Sequence, residues 1–260
     1  MATLGIHGCL RLLGTPAKKG LCGNPALIEA VAFNPPEDIA AAIMAHVIPA
    51  SLMKFDSERP LVSLASISVP ATFSLSSSLM IPNERVHGVI EHGGIVPGII
   101  TDNSRTRWHV RAPTTRQADA LLKRVRACIE AASTGTGCKV NFQTFPSFTD
   151  MRANSTLCDA YVEDMASFGV IVVKNCETTP ASTYMGNVSY IVPSFHGGFV
   201  IAADATTTLH RPAFATAARI EAAHSSTMQG AKGMTMMAIR VLVDDKTASA
   251  ARADFEKDED

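Results

Sequence analysis

Between Arg105 and Ala132 the apolar period of the chain changes from two to about 3.6 within a few residues. In Arg105 to Arg111, Thr106, Trp108 and Val110 alternate with Arg105, Arg107, His109 and Arg111, which is the pattern of a strand with one buried face. After Thr114 or Thr115 as N-cap, Ala118, Leu121, Leu122, Val125, Cys128, Ile129 and Ala132 recur at helical spacing. Val86 to Glu91 reads as an earlier strand, Gly135 and Gly137 stop the helix, and Cys138 to Phe145 resumes alternation. Strand, strand, helix and strand in that order make most of a ferredoxin-like α+β unit.

The flanking sequence has another texture. Cys9 to Leu13 reads as a buried strand closed by the turn signal Gly14-Thr15-Pro16. Asn24 caps a helix over Pro25 to Phe33, and Ala40 to Ile48 reads as a second buried strand. Beyond the central unit, Asn154 or Ser155 caps a helix to about Phe168 with the face Leu157, Tyr161, Met165 and Phe168. Val170 to Val173, Gly186 to Val192 and Gly198 to Ala202 read as strands, and Pro212 to Ala223 and Ala231 to Val243 as helices. The end, Ala251 to Asp260, has four acids in its last five residues and reads as frayed. Ser57 to Ser78 has little charge and no period, and it carries no assignment. Strands alternating with helices place the chain in the α/β class.

Composition narrows the function classes. The 260 residues are 47% hydrophobic and 18% charged with a net charge of −1, so no global field favours nucleic acid or anionic lipid. The most apolar stretch, Ile39 to Met53, is cut by His46 and Pro49 and is shorter than the ~20 residues of a membrane span. Met1 to Gly14 lacks the basic start and cleavage site of a secretory signal. Neither nucleic acid nor membrane is an expected partner. The six cysteines, at 9, 22, 128, 138, 158 and 176, never form C-x-x-C, and they read as reduced thiols filling the core of a cytoplasmic protein.

Two sets of residues invite a chemical reading. Gly14-Thr15-Pro16-Ala17-Lys18-Lys19-Gly20 is glycine-flanked and basic, but no Gly-Lys-Ser/Thr closes it and Pro16 interrupts the amide cradle of a phosphate loop. The eight histidines show no H-E-x-x-H pair. His87, His92 and His109 fall among strand residues and read as structural or surface groups. His46 ends an apolar strand, and His210 lies in a polar loop before a helix.

Several segments together resemble metallopeptidase family twenty, the aminoacylases, dipeptidases and p-aminobenzoyl-glutamate hydrolases. They are Leu13-Gly-Thr-Pro-Ala17, Met44-Ala-His46, Glu84 to Ile90 with Glu91-His-Gly-Gly94, Val110-Arg-Ala-Pro-Thr114, Met185 to Ser194, and His210 before its helix. The resemblance spans most of the chain, with a gap at Ser57 to Ser78. It implies a partial catalytic α/β domain, residues 1–56 and 148–260, interrupted by a ferredoxin-like lid and dimerisation domain, residues 57–147. It also implies hydrolysis of amide bonds in small dipeptides or N-acyl amino acids by a zinc-held water, with a homodimer or heterodimer formed through the lid. His46 and His210 are the implied metal ligands, and Met185, Gly186 and Asn187 the implied substrate-binding residues.

Against that pattern the chain departs at the centre. Lys18 and Lys19 occupy the place of the family's glutamate pair, and an ammonium has no lone pair to give a metal. No catalytic residue is therefore assigned. The family's earlier ligands fall upstream of Met1, no histidine lies between His46 and His87, and Gly98 replaces an expected asparagine. A catalytic zinc takes about three protein ligands, so the expectation is impaired or absent hydrolysis, a pseudoenzyme acting as a pairing or interaction partner. Two lysines before a helix would also turn the old cleft into an anion site. Without its upstream strands the sheet is expected to be incomplete and to expose an apolar edge.

Overall fold

The computed structural model describes residues 5–15, 23–49, 59–60, 65–68, 84–145, 147–172, 178–179, 183, 185–204, 206–209 and 211–257. Its central pair is parallel: β1 (Ala42–Pro49) lies beside β7 (Ser194–Ile201), with Ala42 opposite Ser194 and Pro49 opposite Ile201. Alternation along β1 sends Ile43 to one side and Ala42 and Met44 to the other. On the Ile43 side, Phe195 joins α3 (Ser155–Ser167), α6 (Glu221–Val243) and α7 (Asp245–Lys257) through Leu157, Tyr161, Met165, Met237, Val241 and Ala251. On the other side α1 (Gly23–Glu29) and α4 (Met185–Ser189) contribute Ile28, Met185 and Val188. Helices on both faces of a parallel pair make this part α/β. The short α5 (Pro212–Ala217) precedes α6, and β2 (Arg59–Pro60) pairs in parallel with β6 (Thr178–Thr179).

Long-range polar contacts fasten this packing. Asn154 is the N-cap of α3: its Oδ1 accepts from the Leu157 N–H at 3.1 Å, while its Nδ2 donates to the Ala251 carbonyl at 2.8 Å. Arg240 on α6 donates from Nε to the buried Asp164 of α3 at 3.1 Å and from Nη1 to Glu163 at 3.0 Å. Gly233 lets α6 lie close to α3, since a Cβ there would stand 2.4 Å from the Met165 sulfur.

The central unit has its own core. Strands β3 (Ala65–Ser68), β5 (Arg105–Arg111) and β4 (Arg85–His92) form an antiparallel sheet in that spatial order. Trp108 and Val110 face Leu121, Val125 and Ile129 of α2 (Thr115–Thr136). Thr114 closes a capping box with Gln117, and Gly137, at φ 67°, caps the other end. Glu84, 6% exposed, accepts from Arg124 through both oxygens at 3.0 Å.

Five expectations are corrected. Cys9 to Leu13 is not a strand: no described strand pairs with it, and Leu10 and Leu12 are 70% and 96% exposed. Cys138 to Phe145 forms no strand, although Val140 and Phe142 do pack on the lid core. Within 170–172 there is no ladder; Val170 donates to the Met165 carbonyl and so finishes α3 (Val173 lies outside the described residues). Residues 185–189 are helical, because Met185, Val188 and Val192 fill one side at spacings of three and four. Residues 245–257 are helix, not a frayed end: Ala251 is fully buried, Thr156 N–H donates to Asp254, and Arg252 donates to the Pro36 and Ile39 carbonyls.

Candidate active-site cleft

His46 lies on β1, on the same sheet face as Met44. Its Nδ1 is 2.7 Å from the Val47 carbonyl, which can only accept, so Nδ1 carries a proton. The parallel register sets Met44 opposite His196, which puts His196 on that face too. The two imidazole centroids are 6.4 Å apart at 60°. A cleft of about 410 Å³ opens beside His46, lined also by Val47, Leu209, Arg211, Pro212, Phe214 and Ala215. Arg211 is the N-cap of α5, and Pro212 sets its first turn.

Chemically, the described lining offers an imidazole, a guanidinium and apolar surface, with no carboxylate. Among the described residues no three His, Cys, Asp or Glu side chains converge as metal ligands would. A catalytic zinc site needs about three protein ligands and a water. Two histidines beside a fixed positive charge do not supply that, so the described residues do not fit a two-metal centre.

The expected site residues separate accordingly. His46 lines the cleft, and both sequence neighbours of His210, Leu209 and Arg211, line it as well. His210, Lys18 and Lys19 lie outside the described residues. Met185 and Gly186 do not line the cleft. Met185 is 4% exposed in the core shared with α1, and a Cβ at Gly186 would be 2.1 Å from the Thr149 carbonyl oxygen, so both serve packing. Asn187 donates from Nδ2 to the Ser147 carbonyl at 3.2 Å, and its buried Oδ1 has no hydrogen-bond partner among the described residues. His196 and Arg211 are not among the residues that the sequence motifs single out. Their signal is the alternation of apolar Phe195 with His196 and the place of Arg211 directly before Pro212.

The central unit carries a separate charged face. Arg105, Arg107, His109 and Arg111 point away from α2, opposite Arg111's partner Arg85 and His109's partner His87. Burial, then Arg111, Arg107 and His87, pull the His109 pKa below its ordinary value. Burial and Arg85 lower that of Arg111. Arg107 is relieved by Glu91, 2.7 Å away. His92, at the end of β4, is exposed and has Nδ1 3.2 Å from the Asn103 carbonyl.

No family profile matches the chain. It is 30% identical over 270 aligned positions to the Xaa-Arg dipeptidase of Mus musculus, covering 94% of this chain and 62% of that protein. The chain thus spans less than two thirds of this relative's length. In fold it is similar to the YXEP protein of Bacillus subtilis, described as a dinuclear metal binding peptidase of the M20 family, with a TM-score of 0.59, 18% identity, and 88% of this chain and 64% of that one covered. A similar likeness holds to the aminobenzoyl-glutamate utilization protein of Klebsiella pneumoniae, with a TM-score of 0.61, 14% identity, and 94% and 64% coverage. The sequence likeness runs nearly the length of the chain, and the fold agrees with it: the chain is similar in sequence to the Xaa-Arg dipeptidase and shares the fold of these M20-type peptidases.

Proposed function

We propose that this chain is a dipeptidase-like amidohydrolase by descent whose metal-dependent hydrolysis of amide bonds is impaired. The substrate class of the reading is small dipeptides, those ending in arginine among them as the relative's name implies, or N-acyl amino acids. Zinc is the metal of the reading, with His46 and His210 as the ligands left to it and Asn187 as the substrate contact. The observation that carries the reading is the composition of the His46 cleft, where a guanidinium is present and a carboxylate is lacking among the described residues. Lys18 and Lys19, in place of a glutamate pair, support it from the sequence. Reduced Cys9, Cys128, Cys138 and Cys158 accord with a cytoplasmic location. No helix among the described residues is long and apolar enough to cross a membrane.

The test is purification followed by metal analysis and an assay on arginine-ending dipeptides and N-acyl amino acids with zinc or manganese added. The expected result is less than one metal per chain and no turnover above that of a Lys18→Glu/Lys19→Glu variant. Stoichiometric metal with multiple turnovers overturns the reading.

A second reading is favoured by the lid, residues 57–147, whose sheet and helix are well formed while large apolar side chains such as Val89 and Ile95 face outward, 65% and 95% exposed. It makes the chain a partner that pairs through the lid with itself or with an active relative. Light scattering on the full chain tests self-pairing, and a monomer at tens of micromolar removes it.

A further inference from the structure

On the face of the central sheet that looks away from α2, the pairing of β4 with β5 sets like charges against each other. Arg85 stands directly opposite Arg111, and on the next rung of the same face His87 stands directly opposite His109. Facing side chains of an antiparallel pair are about 5 Å apart at Cβ, and successive rungs on one face are about 7 Å apart. Four basic groups therefore bound one small patch, with Arg111 and His109 half-buried and Arg85 and His87 exposed. Like charges face to face across two strands destabilise a sheet, so the arrangement is costly until something negative offsets it. The third rung does not add to the excess, because its Arg107 is matched by Glu91 at 2.7 Å. Arg105 lies beyond the irregularity in β4, opposite His92. Among the described residues no carboxylate pairs with Arg85, His87 or His109.

The patch feels its own field. After burial, the groups that lower the His109 pKa are Arg111, Arg107 and His87, and the charge that lowers that of Arg111 is Arg85. The chemistry of the four groups selects the anion that relieves it. Each guanidinium offers a planar fork of N–H donors and keeps its charge at any working pH. Two of them on one rung balance a dianion, whereas a single carboxylate leaves one guanidinium charge unmatched. A tetrahedral phosphoryl group has enough oxygens to meet both forks and still accept from an imidazole N–H on the next rung. Val89, 65% exposed, follows His87 on the same face and gives the patch an apolar border, against which the organic part of a phosphate ester could rest.

We propose that the facing pairs Arg85–Arg111 and His87–His109 form a binding site for a dianionic phosphoryl group, inorganic or carried on a small phosphomonoester. The site is carried by β4 and β5, not by the strand that holds His46, and it needs neither a metal nor hydrolysis.

The experiment uses the full chain, with chelator present, in calorimetric titrations at pH 7 and low salt. The probes are inorganic phosphate, pyrophosphate and phenyl phosphate, with acetate as the monoanion control. The expected result is one phosphoryl ligand per chain, with acetate weaker by about tenfold or more. Phenyl phosphate tighter than phosphate supports the site and names an ester as its ligand; pyrophosphate tightest supports it and names an inorganic one. Arg85→Gln, at an exposed position, weakens the preferred ligand about tenfold, and Arg85→Lys, which keeps the charge without the fork, recovers only part. Side-chain NMR provides a readout that does not depend on a variant: the His87 and His109 signals shift on titration. Acetate as tight as the phosphoryl probes overturns the proposal, and so does phosphoryl binding that is indifferent to Arg85→Gln and leaves both histidine signals in place. Absence of binding at millimolar probe overturns it as well.

Discussion

The two sheets of this chain are held in place by different means. The β1–β7 pair is covered on both faces, and its helices are tied by contacts between distant segments: Asn154 with Ala251, Arg240 with Asp164, Arg252 with Pro36. The β3–β5–β4 sheet is covered on one face by α2 and held by neighbours in sequence, above all the Thr114 capping box and the alternation of Arg105–Arg111. The first region is therefore stabilised by burial that only the assembled fold provides. The second is stabilised by local signals, and among the described residues nothing packs on its other face or pairs with the outer edge of β4. The His46 cleft lies in the first, and exposed apolar side chains such as Val89 and Ile95 lie in the second.

If that contrast holds, truncations in the doubly covered region have the larger effect. Leu157→Ala, at a fully buried position of the α3/α6/α7 core, is expected to lower unfolding free energy by about 3–5 kcal/mol in chemical denaturation. A loss below ~1 kcal/mol would break the comparison. Arg240→Ala leaves the buried Asp164 carboxylate without its cation and is expected to cost about 3 kcal/mol, with Arg240→Lys recovering only part. Thr114→Ala removes the local cap of α2 and should cost about 1 kcal/mol, with the change confined to the lid in hydrogen exchange.

The smallest effect is expected from acid. Because the His109 pKa is held below its unfolded value, the fold favours the neutral ring. Its contribution is fully present above pH ~6.5 and is lost as pH falls through the folded pKa. Protonation there sets a third positive charge against Arg107 and Arg111, next to His87. The melting temperature of the unaltered chain should fall more steeply between pH 6.5 and 5 than that of His109→Asn. Parallel curves would remove this role of the charged lid face.

The same contrast decides what could be read from the amino acids. The lid's two longer strands and α2 were legible because their determinants lie within a few residues: a period of two, then Thr114 and a stripe from Ala118 to Ile129. α7 was not legible from its acidic run, since what orders it is Ala251 against α3 and the reach of Arg252 to Pro36. Residues 185–189 were misread for a related reason. A short apolar run by itself does not separate helix from strand; the helix follows from Met185, Val188 and Val192 packing on one side, with Gly186 tight against the backbone of Thr149. At the cleft, His46 could be singled out from its segment, whereas His196 joins it only through the parallel register of two strands far apart in sequence.

Asn154 illustrates how this wiring reaches across the molecule. One side-chain amide begins α3 and also grips a carbonyl 97 residues later. Trimming of α7 by a protease would therefore be felt at the first turn of α3 and, through Leu157 and Phe195, against the strand that carries His196. An intact α7 is in this sense a condition for the geometry of the strand beside the cleft.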